Sequence, residues 1–227
     1  MSRPNIEQDA RAAFEVLKRG GSAILPMDVG YSLIGGSTPA LIRIFETKQR
    51  TPNKLNAMIG DNVMSEDLHI LTPAQRAVVD AITRDHDLPL GLIAPARTDH
   101  PLLRRLDDEG RARSVRDGTV CMLLNAGPFH AAISRMSREE VHPLFGSSAN
   151  RSLQGTKFRL EDIEPDVRAI ADHIVDYGLR KYHHYKQSST LLDVTDMRVV
   201  RWGSCFELIA DVLKRSFGID LPPPPDK

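Results

Sequence analysis

Cysteine is nearly absent from this sequence: Cys121 and Cys205 are the only two in 227 residues, and no metal-ligand spacing relates them. A disulfide-stapled fold is thereby excluded, and two isolated thiols point to a reducing, cytoplasmic setting. Cys205 stands where a helix start could lower its pKa, but no His or acid pattern marks a nucleophile beside it, so an inert thiol is the expectation. Excess charge is lacking too. Lysine plus arginine and aspartate plus glutamate both number 30, so the formal net charge is zero. No global field draws in nucleic acid or an anionic membrane, and such a partner has to use a local patch. Long apolar runs are missing: none approaches the roughly 20 residues that span a bilayer. The first residues, Met1-Ser2-Arg3-Pro4-Asn5, lead into an amphipathic helix rather than an apolar leader core. The expectation is a soluble protein with no membrane partner.

What is present suits a globular core, with 41% hydrophobic and 26% charged residues. Caps announce helices. Asn5 with Gln8 opens one carrying Ile6, Ala10, Ala13, Phe14 and Leu17, stopped by Gly20-Gly21. Thr38-Pro39 starts a second, Thr72-Pro73 with Gln75 a third, and Ser204 with Glu207 a last one ending at Gly218. Strand-length apolar runs lie between them: 22–25, 56–59, 90–94, 120–124, 190–194 and 198–201. The interleaving predicts the α/β class with a central sheet. No internal repeat and no Pro/Gly/Ser linker divides the chain. We therefore read one domain over residues 1–220 and a loose Pro-rich tail over 221–227.

Three segments can carry chemistry. Thr47-Lys48-Gln49-Arg50 closes the second helix, where cations complement the dipole and can also converge on phosphate oxygens. Phe145 to Ser152, rich in Ser and Asn, reads as a loop that either is an ordinary turn or lets donors approach a phosphate or base. Ser188-Ser189-Thr190 to Val194 and Val199-Val200-Arg201-Trp202-Gly203 read as two strands around a turn at residues 195–197.

Taken together, in this order, these segments resemble the YrdC-like family. Its members carry a Lys-x-Arg, a Ser-Ala-Asn loop, a Ser-Thr strand start and a late Arg-x-Gly, which here are Lys48-Gln49-Arg50, Ser148-Ala149-Asn150, Ser189-Thr190 and Arg201-Trp202-Gly203. Pro89-Leu90-Gly91-Leu92 is similar to the family's Pro-Leu-Thr-Leu strand. The resemblance spans about residues 20–203 and implies a single domain with a twisted mixed sheet, flanking helices and a concave basic face.

The resemblance also implies a function. The family's threonylcarbamoyl-AMP synthases use ATP with Mg²⁺, bicarbonate and L-threonine, and adenylate a carbamate for tRNA modification. By resemblance, Lys48, Arg50, Ser148, Asn150, Ser189 and Arg201 bind the nucleotide. The acid-substrate pocket would hold Met27, Asp28, Tyr31 and Met58, and it departs from the synthases. Met27 and Val29 stand for two threonines, Met58 for a His, and Leu123 or Leu124 for an Arg. Asp28-Val29-Gly30-Tyr31 is similar to the YciO branch instead. L-Threonine is therefore not expected in the usual pose.

Arg180-Lys181-Tyr182-His183-His184-Tyr185-Lys186 interleaves cations with rings, a composition that suits a nucleotide or RNA, whether tRNA or double-stranded. The alternative is a solvated connection whose tyrosines cover a sheet edge. No period fixes the segment, so it is expected to be mobile without ligand. Arg104 to Arg116 reads as a solvated loop with interspersed acids, and the remaining histidines show no ligand spacing. Two functions follow: an ATP-dependent nucleotidyltransferase acting on a carbamoylated or related acid, or a YciO-like nucleotide- or RNA-binding module without chemistry.

Overall fold

The computed structural model describes residues 4–49 and 54–225. In chain order its elements are α1 (Ile6–Lys18), β1 (Ser22–Met27), β2 (Gly30–Gly35), α2 (Thr38–Thr47), β3 (Ala57–Ile59), α3 (Asn62–Leu68), α4 (Pro73–Asp80) and β4 (Leu90–Pro95). There follow α5 (Pro101–Arg104), α6 (Asp108–Ala112), β5 (Val115–Arg116), β6 (Thr119–Leu124), α7 (Pro128–Glu139) and β7 (Phe145–Ser148). The last are α8 (Pro165–Ala169), β8 (His173–Ile174), β9 (Thr190–Asp193), β10 (Arg198–Arg201) and α9 (Phe206–Phe217).

One mixed sheet of ten strands runs β10-β9-β4-β6-β3-β7-β2-β1-β8, with β5 added on β6. Pairs β3/β6, β4/β9 and β1/β8 are parallel, and the rest are antiparallel. Residues opposed in register share a face, which sorts the core. One face carries Met58, Leu90, Leu92, Val120, Met122 and Leu192 into a cluster completed by α3, α4 and α9. Farther along, the same face carries Ile24, Tyr31 and Leu33 against Ile44 of α2 and Val167 of α8. The opposite face packs Ala23, Leu25, Met27, Ile34, Ile59 and Leu123 under α1 and α7. That cover contains nothing from β4 or β9, so Ile93, Cys121 and Leu191 stay half-buried on an open stretch of sheet.

The sheet curls. Asp28, one residue past β1, donates its N–H to the carbonyl of Ala126, two residues past β6, at 2.8 Å. Three strands separate β1 from β6. Across a flat sheet that is about 19 Å, more than three loop residues at about 3.5 Å each can reach.

Several sequence expectations need correction. Strands β2 and β7 form where no apolar run marked one, and Phe145–Ser148 is sheet rather than loop. Gly146 lies only 2.2 Å, at a built Cβ, from the Leu33 carbonyl, which shows how closely β7 presses on β2. The Arg104 to Arg116 run folds into α5, α6 and β5, because Asp107 caps α6 and Arg111 donates to the carbonyls of Thr98 and Leu103. Ser204 does not cap α9. Its hydroxyl donates to the Gln187 carbonyl, and the helix starts after Cys205 in the left-handed region. The capping box at Thr72 and Gln75 and the Gly218 stop form as expected. A basic concave face is not shown: on the open stretch Ile93, Cys121 and Leu191 are neutral, and opposite Ile93 the Asp193 carboxylate pairs with Arg198 at 3.2 Å. Among the described residues no helix is long and apolar enough to cross a membrane.

Candidate functional site

Two polar clusters flank the open stretch. The first gathers Lys48, Ser148 and Asn150. Lys48 is the C-terminal cap of α2, where its charge complements the helix dipole. It is buried, and its ammonium donates to the Ser148 carbonyl, as does the Asn150 backbone N–H at 3.0 Å. Ser152 N–H donates back to the Lys48 carbonyl at 3.0 Å, so the helix end and the loop after β7 are one unit. Asn150 is 7% exposed, and its Nδ2 donates to the Arg151 carbonyl at 2.5 Å. Its Oδ1 is buried and meets no donor among the described residues. An acceptor left in that state costs about 1–3 kcal/mol. Arg50 lies outside the described residues.

The second cluster joins Ser189 and Arg201. A register shift in β10 ahead of Arg201 turns its guanidinium back, and Nε and a terminal nitrogen donate to the Ser189 carbonyl at 3.0 and 2.8 Å. The glycine of Arg-x-Gly follows from packing. A Cβ on Gly203 would sit 2.3 Å from the Ser188 carbonyl, where the chains pair through Ser204 N–H to Ser188 O at 2.7 Å. Between the clusters, register places Ser32, Ser148, Ala57, Cys121, Ile93 and Leu191 on one face. This floor is a groove crossing six strands, on which Asp193 stands opposite Ile93. Two depressions elsewhere, about 440 Å³ beside Arg43 and Asp172 and about 180 Å³ beside Arg105 and His142, share no residue with either cluster.

The residues expected to form an acid pocket are not brought together. Met27, Tyr31 and Met58 are all fully buried, in three different apolar clusters. Strand alternation turns Met27 to one face and Tyr31 and Met58 to the other. The Tyr31 hydroxyl donates to Asp176 Oδ1 at 2.6 Å, and desolvation there raises its pKa beyond its ordinary value.

Asp28 alone stands at the end of the open stretch. Its Oδ1 accepts from Arg180 at 3.0 Å, and both side chains are nearly buried. Burial raises the Asp28 pKa against the opposing pull of Arg180 and Lys181. Gly127, at φ +101°, lies flat against this carboxyl group, 2.4 Å from its carbon at a built Cβ. Sequence reasoning missed both Gly127 and the Asp28–Arg180 pair.

The Arg180–Lys186 segment is a strap packed on the protein rather than a loose loop. Arg180 N–H donates to the Phe158 carbonyl and Tyr182 N–H to the Asp28 carbonyl, both at 3.0 Å. Tyr182 and Tyr185 pack on the apolar core, and the Tyr185 hydroxyl bonds to Glu207. Lys181, His183, His184 and Lys186 are exposed. Cys205 is buried beneath the strap, and that burial pushes its thiol pKa up.

Comparison with known proteins gives a consistent picture. The Sua5/YciO/YrdC family model, described as "Telomere recombination", matches residues 15–203. No curated protein matches the chain. A hypothetical protein, smu.1377c of Streptococcus mutans UA159, superposes with a TM-score of 0.76 at 23% identity, covering 93% of each chain. P. abyssi Sua5 complexed with L-threonine superposes at 0.75 and 21% identity, over 98% of this chain but 61% of that one. E. coli YciO superposes at 0.64 and 20%, over 89% and 92%. At these identities the superpositions establish the fold.

Proposed function

Because this chain belongs to the Sua5/YciO/YrdC family, we propose that it binds ATP across the open stretch of its sheet and adenylates a carbamoylated or related acid other than threonine. The observation that carries the reading is Asn150. Its buried Oδ1 has no donor, and it sits beside Lys48 in a loop that a nucleotide's N–H or hydroxyl could complete. Lys48 and Arg201, with Arg50, would neutralise the triphosphate, and Ser148 and Ser189 would add hydroxyl donors. Magnesium would arrive with the phosphates: among the described residues no three His, Cys, Asp or Glu side chains cluster to hold it. Catalysis in this reading is alignment of the acid on the α-phosphate and neutralisation of charge.

The test is calorimetry with ATP and Mg²⁺, followed by pyrophosphate release with a panel of acids plus bicarbonate. Saturable ATP binding that weakens in Asn150→Ala, and pyrophosphate release with at least one acid, is the expected result. No saturable ATP binding at about millimolar concentration, a Kd near the weak end of specific ligands, would sink the reading. Binding without release for any acid would leave a nucleotide-binding module.

A further inference from the structure

A leucine is ill suited to the left-handed region of backbone space, because its Cβ crowds the following carbonyl there. Among the described residues four apolar side chains stand at positive φ: Val141, Leu153, Met197 and Cys205. Val141, Met197 and Cys205 pack into the cluster completed by α3, α4 and α9, so core contacts offset the backbone cost. Leu153 lacks that support. At φ +69° it is 89% exposed and belongs to none of the three apolar clusters. Backbone bonds join it instead to the cluster of Lys48, Ser148 and Asn150. The Arg151 carbonyl accepts from Asn150 Nδ2 at 2.5 Å and from the Gln154 N–H at 3.2 Å. One bond orients the amide whose buried Oδ1 meets no donor among the described residues. The other closes a turn over residues 151–154 that carries Leu153. Ser152 N–H, bonded to the Lys48 carbonyl at 3.0 Å, ties the turn to the end of α2. On the other side Gly155, at φ +71°, has nothing within 4 Å of a built Cβ, which leaves room for the chain to pivot. Arg151 pairs with Asp166 at 2.9 Å, so the turn offers a ligand an alkyl group rather than a charge.

We infer that Leu153 is the lid of a nucleobase site, closing over the flat face of a purine whose edge reaches Asn150 Oδ1. The inference rests on the nucleotide reading of the groove and names the part of the nucleotide that this loop holds. One ligand has to meet two needs. The Asn150 acceptor is buried, so it calls for an N–H or O–H donor. The Leu153 body lies in water, so it calls for an apolar surface. A triphosphate supplies neither, and a ribose supplies hydroxyls without a flat apolar face. An adenine supplies both, with an amino group on its edge and a π-face above and below. Leu153 follows Asn150 by three peptide units, at most about 11 Å between Cα atoms, and the closed turn shortens that span. In the closed form the alkyl group leaves water, so base binding offsets the cost of the left-handed backbone.

Calorimetry on the full chain tests this, with ATP and inorganic tripolyphosphate as separate probes, each with Mg²⁺. Leu153→Asn keeps a residue that accepts the left-handed region and removes the alkyl body. It should weaken ATP binding at least about fivefold, the size of a partly buried leucine, and leave tripolyphosphate unchanged. Leu153→Gly should do the same, and Leu153→Met should keep most of the ATP affinity. Because the side chain is exposed, each variant should melt within about 2 °C of wild type, which separates lost binding from lost folding. In methyl NMR the Leu153 signals, identified by their loss in Leu153→Met, should move upfield with ATP under the ring current of the base. Tripolyphosphate should not move them. Unchanged ATP affinity in Leu153→Asn, an equal loss for tripolyphosphate, or methyl signals indifferent to ATP overturns the inference and leaves the nucleotide reading standing. ATP that fails to bind the wild type overturns both.

Discussion

Lys48 and Arg201 stand at a helix end and a strand end, and each is held by a backbone carbonyl, of Ser148 and of Ser189. At the acid end, Met27, Tyr31 and Met58 are sealed into apolar clusters, and Asp28 is closed off by Arg180. The first region keeps polar groups poised with hydrogen-bonding capacity left over, as at Asn150 Oδ1. The second spends its polar groups on the protein. On the proposed reading, one half of a two-ligand site keeps its polar groups while the other half is rebuilt around packing, and the two halves should respond to perturbation independently.

The sharpest way to break that contrast is to supply L-threonine. Pyrophosphate release with L-threonine and bicarbonate should fall at least about a hundredfold below that with the best acid of a panel. A carboxylate deprived of its usual cation forfeits about 3–5 kcal/mol. Comparable turnover with threonine would mean that the acid end is not rebuilt.

Acid should weaken the second region next. His130 accepts from the Ala126 N–H through Nδ1 and bonds the Leu123 carbonyl through Nε2 at 3.0 Å, which requires a neutral ring. Burial lowers its pKa to about 4, and the same cause lowers His69 to about 4. A depressed pKa stabilises the fold above the ordinary imidazole value and is lost as pH falls through the window from 6.5 to about 4. Each histidine should then contribute about 3 kcal/mol of lost stability across that window, read by denaturant titration at stepped pH. His130→Gln should flatten the slope; an unchanged slope would show that His130 is not buried neutral.

Gly127→Ala should strike the acid end alone. The new methyl meets Asp28 at an unfavourable φ, and a loss of about 2–3 kcal/mol is expected in chemical unfolding. A neutral effect would show that the Asp28–Arg180 pair moves freely. On the other side, Arg201→Ala should weaken ATP binding by about 1.5–3 kcal/mol while leaving Ser189 in place. Equal ATP affinity in calorimetry would detach Arg201 from the groove.

Much of the framework was legible from local rules. Thr72 with Gln75, Thr38-Pro39 and Gly218 mark helix limits because capping depends on neighbours only. The run 90–94 marks a strand because it carries Leu90, Leu92 and Ala94 to a buried face, and 198–201 does so through Val199 alone. Strands β2 and β7 escaped notice because Gly30, Ser32, Gly35, Gly146 and Ser147 are small and polar, and their extended form is imposed by the strands on either side. The short motifs placed Lys48 beside Ser148 and Asn150, and Ser189 beside Arg201. The acid end was misread as one pocket, since a motif of consecutive residues does not say which side chains alternate to opposite faces. The strap was expected to be mobile because its order comes from Asp28, Phe158 and Glu207, partners far away in sequence.

The closing of the curl has a consequence for synthesis of the chain. Asp28 is bonded to Ala126, Arg180 and Tyr182, and Arg180 follows it by 152 residues. At ribosomal rates of about 5–20 residues per second, β1 and β2 wait roughly 8–30 s for the segment that completes them. During that interval Leu25, Met27, Leu33 and Ile34 belong to strands without all of their neighbours. A nascent hairpin in that state is a template for wrong pairing. A holdase that shields the first few dozen residues should therefore raise the yield of folded protein more than one acting near the C-terminus, where α9 can fold against sheet already in place.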